Sequence, residues 1–310
     1  MYVIDTHCDA LYKLQQSGTL SFMTASTLQA SGERLRRGNV KVQCFAIFLD
    51  RDIPVQKRWH ATLEQIDIFH EKVIGSGEQF THITDWRQLR ELAEEEIGAV
   101  LTLEGAESFG TDINKLDQLY EAGILSIGLT WNYANDCGVG VLERNRSGLT
   151  TLGFEVIRRN NERRVLTDVA HINERGFWDI MESAEYPFCS HGNCATVCPH
   201  PRNLTDEQLR ALIEREAPIH LAFYPPFIHD ASIVHITDLI RHIEHICSLG
   251  GAQQVGFGSD FDGIDEVVNR LEHAAHYEVF IDELLNYYSE ELVRQFCHQN
   301  FENYIETRVL

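Results

Sequence analysis

No stretch of the chain approaches the roughly 20 apolar residues that a membrane-spanning helix needs. No basic segment followed by a long apolar run precedes the first strand-like residues, so no secretory signal is expected. No Gly-x-Gly-x-x-Gly follows that first segment, which removes the main support for an open sheet with a dinucleotide site. The 310 residues contain no internal repeat, low-complexity tract or Pro/Gly/Ser linker, and one domain over residues 1–310 is expected. Basic side chains are scarce: 26 Lys and Arg stand against 47 Asp and Glu, a formal charge of −21. Such a surface repels phosphate backbones and anionic bilayers, so nucleic-acid and membrane partners are not expected. The eight cysteines (Cys8, Cys44, Cys137, Cys189, Cys194, Cys198, Cys247 and Cys297) do not form the dense framework of a small secreted module. Reduced thiols and a cytoplasmic location are the reading they support.

What is present is a regular series of short apolar runs. They cover residues 1–8, 42–49, 97–104, 124–131, 164–171, 186–191, 218–224 and 254–260. Most are apolar throughout rather than alternating, as parallel strands buried on both faces are. Helical spacing falls between several of them. Trp59, Leu63, Ile66 and Val73 share a face, Thr205 to Gln208 reads as a capping box, and Ile236, Leu239, Ile240, Ile243 and Ile246 form a stripe that stops at Gly250-Gly251. A further helical pattern follows Ser289, through Leu292, Phe296 and Tyr304. Residues 12–40 and 132–150 are long for simple connections and read as substrate-covering loops or short extra helices. Eight strands with helices between them predict an α/β fold, a (β/α)8 TIM barrel. Gly256-Phe257-Gly258 lies inside the last strand, where small residues permit tight packing.

A barrel carries its active site at the carboxyl ends of its strands. Polar residues stand at those ends: His7 and Asp9, Glu104, His171, His191 and Asp260. Three histidines and three carboxylates from five strands would face one another across the barrel mouth, a donor set that suits two divalent ions, zinc first among them. Asp5, His7 and Asp9 are expected on one strand face, with Asp5 deeper and orienting a ligand such as an imidazole N–H. Cys8 points the other way and reads as core. A rival structural zinc site is conceivable from His191, Cys194, Cys198 and His200, although their spacing lacks Cys-x-x-Cys pairs. His242 and His245, like His273 and His276, are read as solvated or capping.

In these residues the chain resembles the membrane (renal) dipeptidase family of amidohydrolase-like barrels. The resemblance covers nearly the whole chain. It rests on Asp5-Thr6-His7-Cys8-Asp9, Leu103-Glu104-Gly105, Asp168-Val169-Ala170-His171, Ser190-His191 and Gly258-Ser259-Asp260-Phe261-Asp262-Gly263. Cys198-Pro199-His200-Pro201-Arg202-Asn203-Leu204 is also similar to the family's substrate loop. The resemblance implies that His7 and Asp9 bind one zinc, that His171 and His191 bind a second, and that Glu104 bridges the two. It further implies Asp260 as general acid/base and Arg202 as receiver of the substrate's terminal carboxylate, which a guanidinium fork suits. Tyr224 would line the same pocket. Where the family often carries a histidine near the developing oxyanion, this chain has Trp131 followed by Asn132. Either a metal or Asn132 takes that role, or the substrate range is altered, and Asn132 reads equally well as a turn residue.

The activity so implied is a binuclear zinc dipeptidase that cleaves dipeptides, L-D dipeptides among them, with a metal-bridging hydroxide. Two alternatives stand beside it: an N-acyl amino acid hydrolase with the same metal site, and a barrel that binds a ligand without turnover. A homodimer is expected only by analogy with the family, through helices or loops, since a closed barrel has no free edge.

Overall fold

The computed structural model describes residues 1–77 and 79–310. Among the described residues nine parallel strands form one sheet: β1 (Val3–Asp5), β2 (Val40–Phe48), β3 (Phe80–Ile83), β4 (Ile97–Glu104), β5 (Ile124–Gly128), β6 (Leu166–Asp168), β7 (Pro187–Phe188), β8 (Ile219–Leu221) and β9 (Val255–Phe257). Eight of them follow one another in the order β7-β6-β5-β4-β2-β1-β9-β8. Just beyond β7, a parallel bridge between Cys189 and Ile219 of β8 joins the two ends of that path. The result is the expected barrel of eight parallel strands, in the order the chain supplies them.

The ninth strand, β3, is an addition that the sequence reading did not contain. It pairs with Ile97–Val100 of β4, along the edge that β5 takes over from Leu101 onward, while β2 runs along the opposite edge. Only its end residues, Phe80 and Ile83, are buried. A four-residue run with two polar residues at its centre carries almost no strand signal. Several of the other strands are shorter than their apolar runs, because the chain leaves strand geometry before the polar residue at the run's end.

Continuous burial along the strands has two sources. On β4, Ala99, Leu101 and Leu103 join the large core beneath the helices, whereas Val100 joins a second core inside the ring. That inner core also holds Ile4, Val42, Cys44, Leu166 and Phe188, and it is closed by Phe301, Tyr304 and Ile305 of the C-terminal helical segment. Tyr304 Oη donates to the Pro187 carbonyl at 2.9 Å, tying that plug to β7. Because side chains alternate along a strand, the parity that sends Val100 inward also sends Thr102 and Glu104 inward. Glu104, last of the three, therefore emerges into the ring at its carboxyl end.

The helical expectations hold at Thr205, whose side chain and that of Gln208 form the capping box, and over Ile236–Ser248, which ends before Gly250 at a φ of 95°. The helix Val55–Ile68 continues through Val73 in a wider turn, and Glu290 to Val309 is helical. Residues 12–40 contain the end of the helix Ala10–Gln16 and the helix Gly32–Arg37, whereas 132–150 is irregular. His242 corrects one expectation. It is fully buried, its Nδ1 accepts from Cys194 N at 3.0 Å, and its Nε2 donates to the Ile228 carbonyl at 3.0 Å. It shares the buried stripe with Leu239 and Ile246, and the core tolerates its ring because both nitrogens are satisfied.

Small residues at the top of β9 allow the ring to close, as expected. A Cβ at Gly256 would collide with the His220 ring, and one at Gly258 with the Ser190 carbonyl. Gly256→Ala should lower unfolding free energy by about 1–3 kcal/mol, the usual cost of overpacking. Gly258→Ala should cost more, because a backbone carbonyl cannot rotate away. Denaturant unfolding of the two variants checks both the sign and the order.

Candidate active site

The mouth of the barrel gathers six of the residues singled out above. Glu104 stands at the centre and divides its two oxygens. Oε2 is 3.5 Å from His7 Nε2, while Oε1 is 2.8 Å from His171 Nε2 and 3.7 Å from His191 Nε2. His7 Nε2 is also 3.5 Å from Asp9 Oδ2 and 3.9 Å from Asp260 Oδ1. Three overlapping sets result, in each of which the possible ligand atoms lie within 4.8 Å of one another: His7, Asp9 and Glu104; Glu104, His171 and His191; and His7, His191 and Asp260. The rings of His7 and His191 stack with centroids 3.8 Å apart.

The hydrogen-bonded surroundings fix which nitrogen each imidazole presents. Asn132 Oδ1 lies 2.8 Å from His171 Nδ1, and since an amide oxygen only accepts, Nδ1 carries the hydrogen. Ser190 Oγ donates to Asp168 Oδ2 and accepts from His191 Nδ1 at 2.7 Å. Both rings thus aim Nε2 lone pairs inward, and the two Nε2 atoms lie 2.8 Å apart with Glu104 Oε1 beside them. Three acceptor atoms at such distances repel unless a cation is shared among them. Two further buried atoms, His7 Nε2 and Asp9 Oδ1, have no hydrogen-bond partner. Imidazole and carboxylate donors in this arrangement fit divalent transition ions.

Backbone geometry aims two of these side chains. His171 and Asp260 both occupy the left-handed region, with φ of 64° and 65°. A non-glycine residue there costs about 1 kcal/mol or more, and in both cases the turn directs a side chain into the mouth just after its strand ends.

Charge follows from burial and crowding. Burial disfavours the His7 imidazolium, but Glu104 and Asp9 outweigh it and hold its pKa well above the ordinary value. Burial opposes ionisation of Glu104 as well, yet His7 and His171 keep its carboxyl well below the usual range. His171 is pushed down to about 4 by burial and by Arg202, and His191 falls well below its ordinary value by burial and by the cationic His7. Asp260 moves the other way: burial raises its pKa well above the carboxylate range despite His7, and Asp9 and Glu104 add to the rise.

The remaining candidates sit around this centre. A cavity of about 390 Å³ opens over it, with Phe48, Trp131, Asn132, Tyr224 and Phe227 among its walls. Tyr224 Oη donates to Asp265 Oδ1 at 3.0 Å, so this tyrosine stands at the rim. Asn132 reaches the cavity wall with its oxygen committed to His171. Arg202 is buried, donates from Nη2 to the His191 carbonyl at 3.1 Å, and lies over the Phe227 ring. Arg202 Nε has no partner.

Two expectations are corrected. Asp5 does not orient an imidazole. Its Oδ1 accepts from the backbone of His7 at 3.2 Å and Ser259 at 2.9 Å, and its Oδ2 from Ser259 Oγ at 2.7 Å and Tyr277 Oη at 2.9 Å. β1 ends at Asp5, so the alternation that would put Asp5, His7 and Asp9 on one face does not continue past it. The rival zinc site does not assemble among the described residues. Cys194 Sγ donates to the His242 carbonyl, Cys198 Sγ to the Pro226 carbonyl, and His200 Nδ1 accepts from Arg202 N. Sequence reasoning missed the positioning roles of Asp168, Ser190 and Ser259, although all three stood inside the quoted motifs and the two serines immediately precede His191 and Asp260.

Comparison with known proteins bears on the family and the fold. A family model described as membrane dipeptidase, peptidase family M19, matches residues 1–307. A Klebsiella pneumoniae protein known only as an uncharacterized protein in the pqqA 5′ region is 30% identical over 256 residues, spanning 75% of this chain and 93% of its own length. An uncharacterized dipeptidase of Schizosaccharomyces pombe is 28% identical over 312 residues, 91% of this chain and 74% of its own. Among solved structures, a metallo peptidase from Rhodobacter sphaeroides, liganded with a phosphinate mimic of L-Ala-D-Ala, superposes with a TM-score of 0.94 at 22% identity, covering 100% of this chain and 99% of that one. A dipeptidase of family M19 gives a TM-score of 0.93 at 23% identity, with the same coverage. These two likenesses are of fold.

Cations bound by this donor set compete with protons, because Glu104 and Asp9 favour the charged form of His7 and burial favours the neutral form of Asp260. Divalent-metal uptake should therefore release protons near pH 7 and weaken as pH falls. Calorimetric titration in buffers of different ionisation enthalpy reads this directly. Ser190→Ala, which frees the His191 ring, should weaken metal binding about 10–100-fold, as loss of a partner that orients a ligand does.

Proposed function

The chain belongs to the membrane dipeptidase family, peptidase family M19, and is a metal-dependent hydrolase; we propose that it hydrolyses the peptide bond of dipeptides, L-D dipeptides among them, with two zinc ions. The observation that carries this reading is the division of Glu104 between two histidine groups, one oxygen toward His7 and the other toward His171 and His191. In this reading His7 and Asp9 would hold one ion and His171 and His191 the other, with Glu104 between them. Such ions would supply polarisation of the scissile carbonyl and a water whose pKa falls into the neutral range.

The protein's own groups do the rest. Asp260, whose Oδ1 lies 3.9 Å from His7 Nε2 at the edge of the centre, is the general acid/base: it takes the proton of the attacking water and delivers it to the leaving amine. Arg202, buried with Nη2 on the His191 carbonyl and Nε unpartnered, receives the terminal carboxylate of the substrate, which a guanidinium fork suits. Asn132 has its oxygen on His171, so its amide N–H groups are what it offers a substrate oxygen. Tyr224 bounds the pocket at the rim. Trp131 packs edge-on against Phe48 with ring centroids 5.1 Å apart, an apolar wall where the family often has a histidine. The reading includes one catalytic domain over residues 1–310, a cytoplasmic location in keeping with the eight free thiols, and a homodimer formed through helices or loops.

Metal stoichiometry combined with a panel of L-L dipeptides, L-D dipeptides and N-acyl amino acids tests the proposal. Two ions per chain and turnover of dipeptides are expected. A metal-loaded protein that cleaves only the N-acyl amino acids, or nothing, sinks it. Asp260→Asn should retain the fold and lower kcat about 10²–10⁴-fold. Glu104→Ala should lose two-metal loading together with activity.

A further inference from the structure

Arg202 lines a second cavity, of about 720 Å³, which adjoins the one over Asp9 and Asp260. His171 lines both. The second cavity is unusual for this chain. In a molecule with 47 acidic and 26 basic side chains, its walls carry Arg144, Arg146, Arg175 and Arg202 against Glu143 and Glu174. Arg175 is paired with Asp179 at 2.9 Å. Arg144 and Arg146 form no ion pair among the described residues, and both are exposed on the irregular segment that follows Asn132. The fourth guanidinium, Arg202, is 5% exposed and has a buried Nε with no partner. An unpaired buried N–H on a cation is costly unless an anion completes it. The first cavity differs in charge, since beyond the metal-facing groups it presents Asp262 and Asp265 against Lys13.

We propose that the second cavity selects dipeptides whose carboxyl-terminal residue has an acidic side chain. The proposal rests on the dipeptidase reading. With the terminal carboxylate at Arg202, the side chain of the same residue extends into the second cavity, where Arg144 and Arg146 are the unpaired cations. An aspartate or glutamate there finds opposite charge, whereas in the first cavity it would meet like charge. Trp178 and Ile172, also in the wall, give apolar contact to the methylenes of such a side chain. The arginines on 144–146 act as a charge filter of the carboxyl-side residue, and the chemistry at Glu104 and Asp260 is common to every substrate.

The test compares zinc-loaded enzyme on isosteric pairs, Ala-Glu against Ala-Gln and Ala-Asp against Ala-Asn, with both configurations of the second residue and with Ala-Ala as neutral reference. The expected result is a kcat/KM ratio that favours the acidic member and declines with added salt, because exposed charges are screened. Arg144→Gln and Arg146→Gln should each reduce the ratio about threefold, and the double variant about tenfold, the scale of exposed ion pairs. Turnover of Ala-Ala with no acidic preference, or a preference unchanged in the double variant, overturns the proposal and leaves the dipeptidase reading standing. Absence of turnover across the whole panel overturns both.

Discussion

The structure depends on one buried carboxylate, Glu104, that stands between two groups of histidine. Glu104 reaches the barrel axis because strand alternation on β4 sends Val100, Thr102 and Glu104 inward, and it reaches the mouth because it is the last residue of its strand. A carboxylate in that position is costly without positive charge around it. His7 supplies some, and the three inward lone pairs at 2.8–3.7 Å from one another call for more. The site is therefore unfavourable as a set of side chains alone and becomes favourable when cations enter it. That is the physical sense in which a centre of this kind is built for metal.

The same need explains a device that appears twice. Asp5 closes β1 and Asp168 closes β6. Each accepts the N–H and O–H of a serine that follows the neighbouring strand, Ser259 after β9 and Ser190 after β7. Each serine immediately precedes a residue of the centre, Asp260 or His191. Burial raises the pKa of both aspartates, while the serine bonds oppose that rise. Hydrogen bonds to a charged acceptor contribute about 1.5–3 kcal/mol each, enough to hold two adjacent strand ends in register. Thr6 adds a third tie, with its Oγ1 2.9 Å from the Ser190 carbonyl and 2.6 Å from His220 Nδ1. The residues of the centre are thus positioned through backbone held from below as well as through their own side chains.

Much of this was legible in the residues. Eight buried parallel strands each left an apolar run, and the six residues at the mouth were recognisable because polar groups stood at the same end of so many runs. What was not legible has physical causes. β3 is short and half exposed, so its four residues carry no pattern. His171 and Asp260 leave strand geometry through the left-handed region, and nothing in a non-glycine residue announces that. Asp5 reads as a member of the centre only if the strand continues through His7, and it stops two residues short. His242 lies on a buried helical stripe, and its partners, Cys194 and Ile228, come from remote segments that spacing cannot supply.

Trp131 follows from the same logic. An indole has one donor and no acceptor, so it cannot replace an imidazole that both accepts and donates. It packs against Phe48 and Tyr133 and leans over His171 at 6.1 Å between ring centroids. Its neighbour Asn132 orients His171 from the other side. The segment that begins with these two residues continues through Arg144 and Arg146 to Thr150, so one irregular stretch forms an apolar wall of the first cavity, fixes one imidazole of the centre and supplies the unpaired cations of the second cavity. Loops carry such tasks because a change in them leaves the barrel's hydrogen bonding intact.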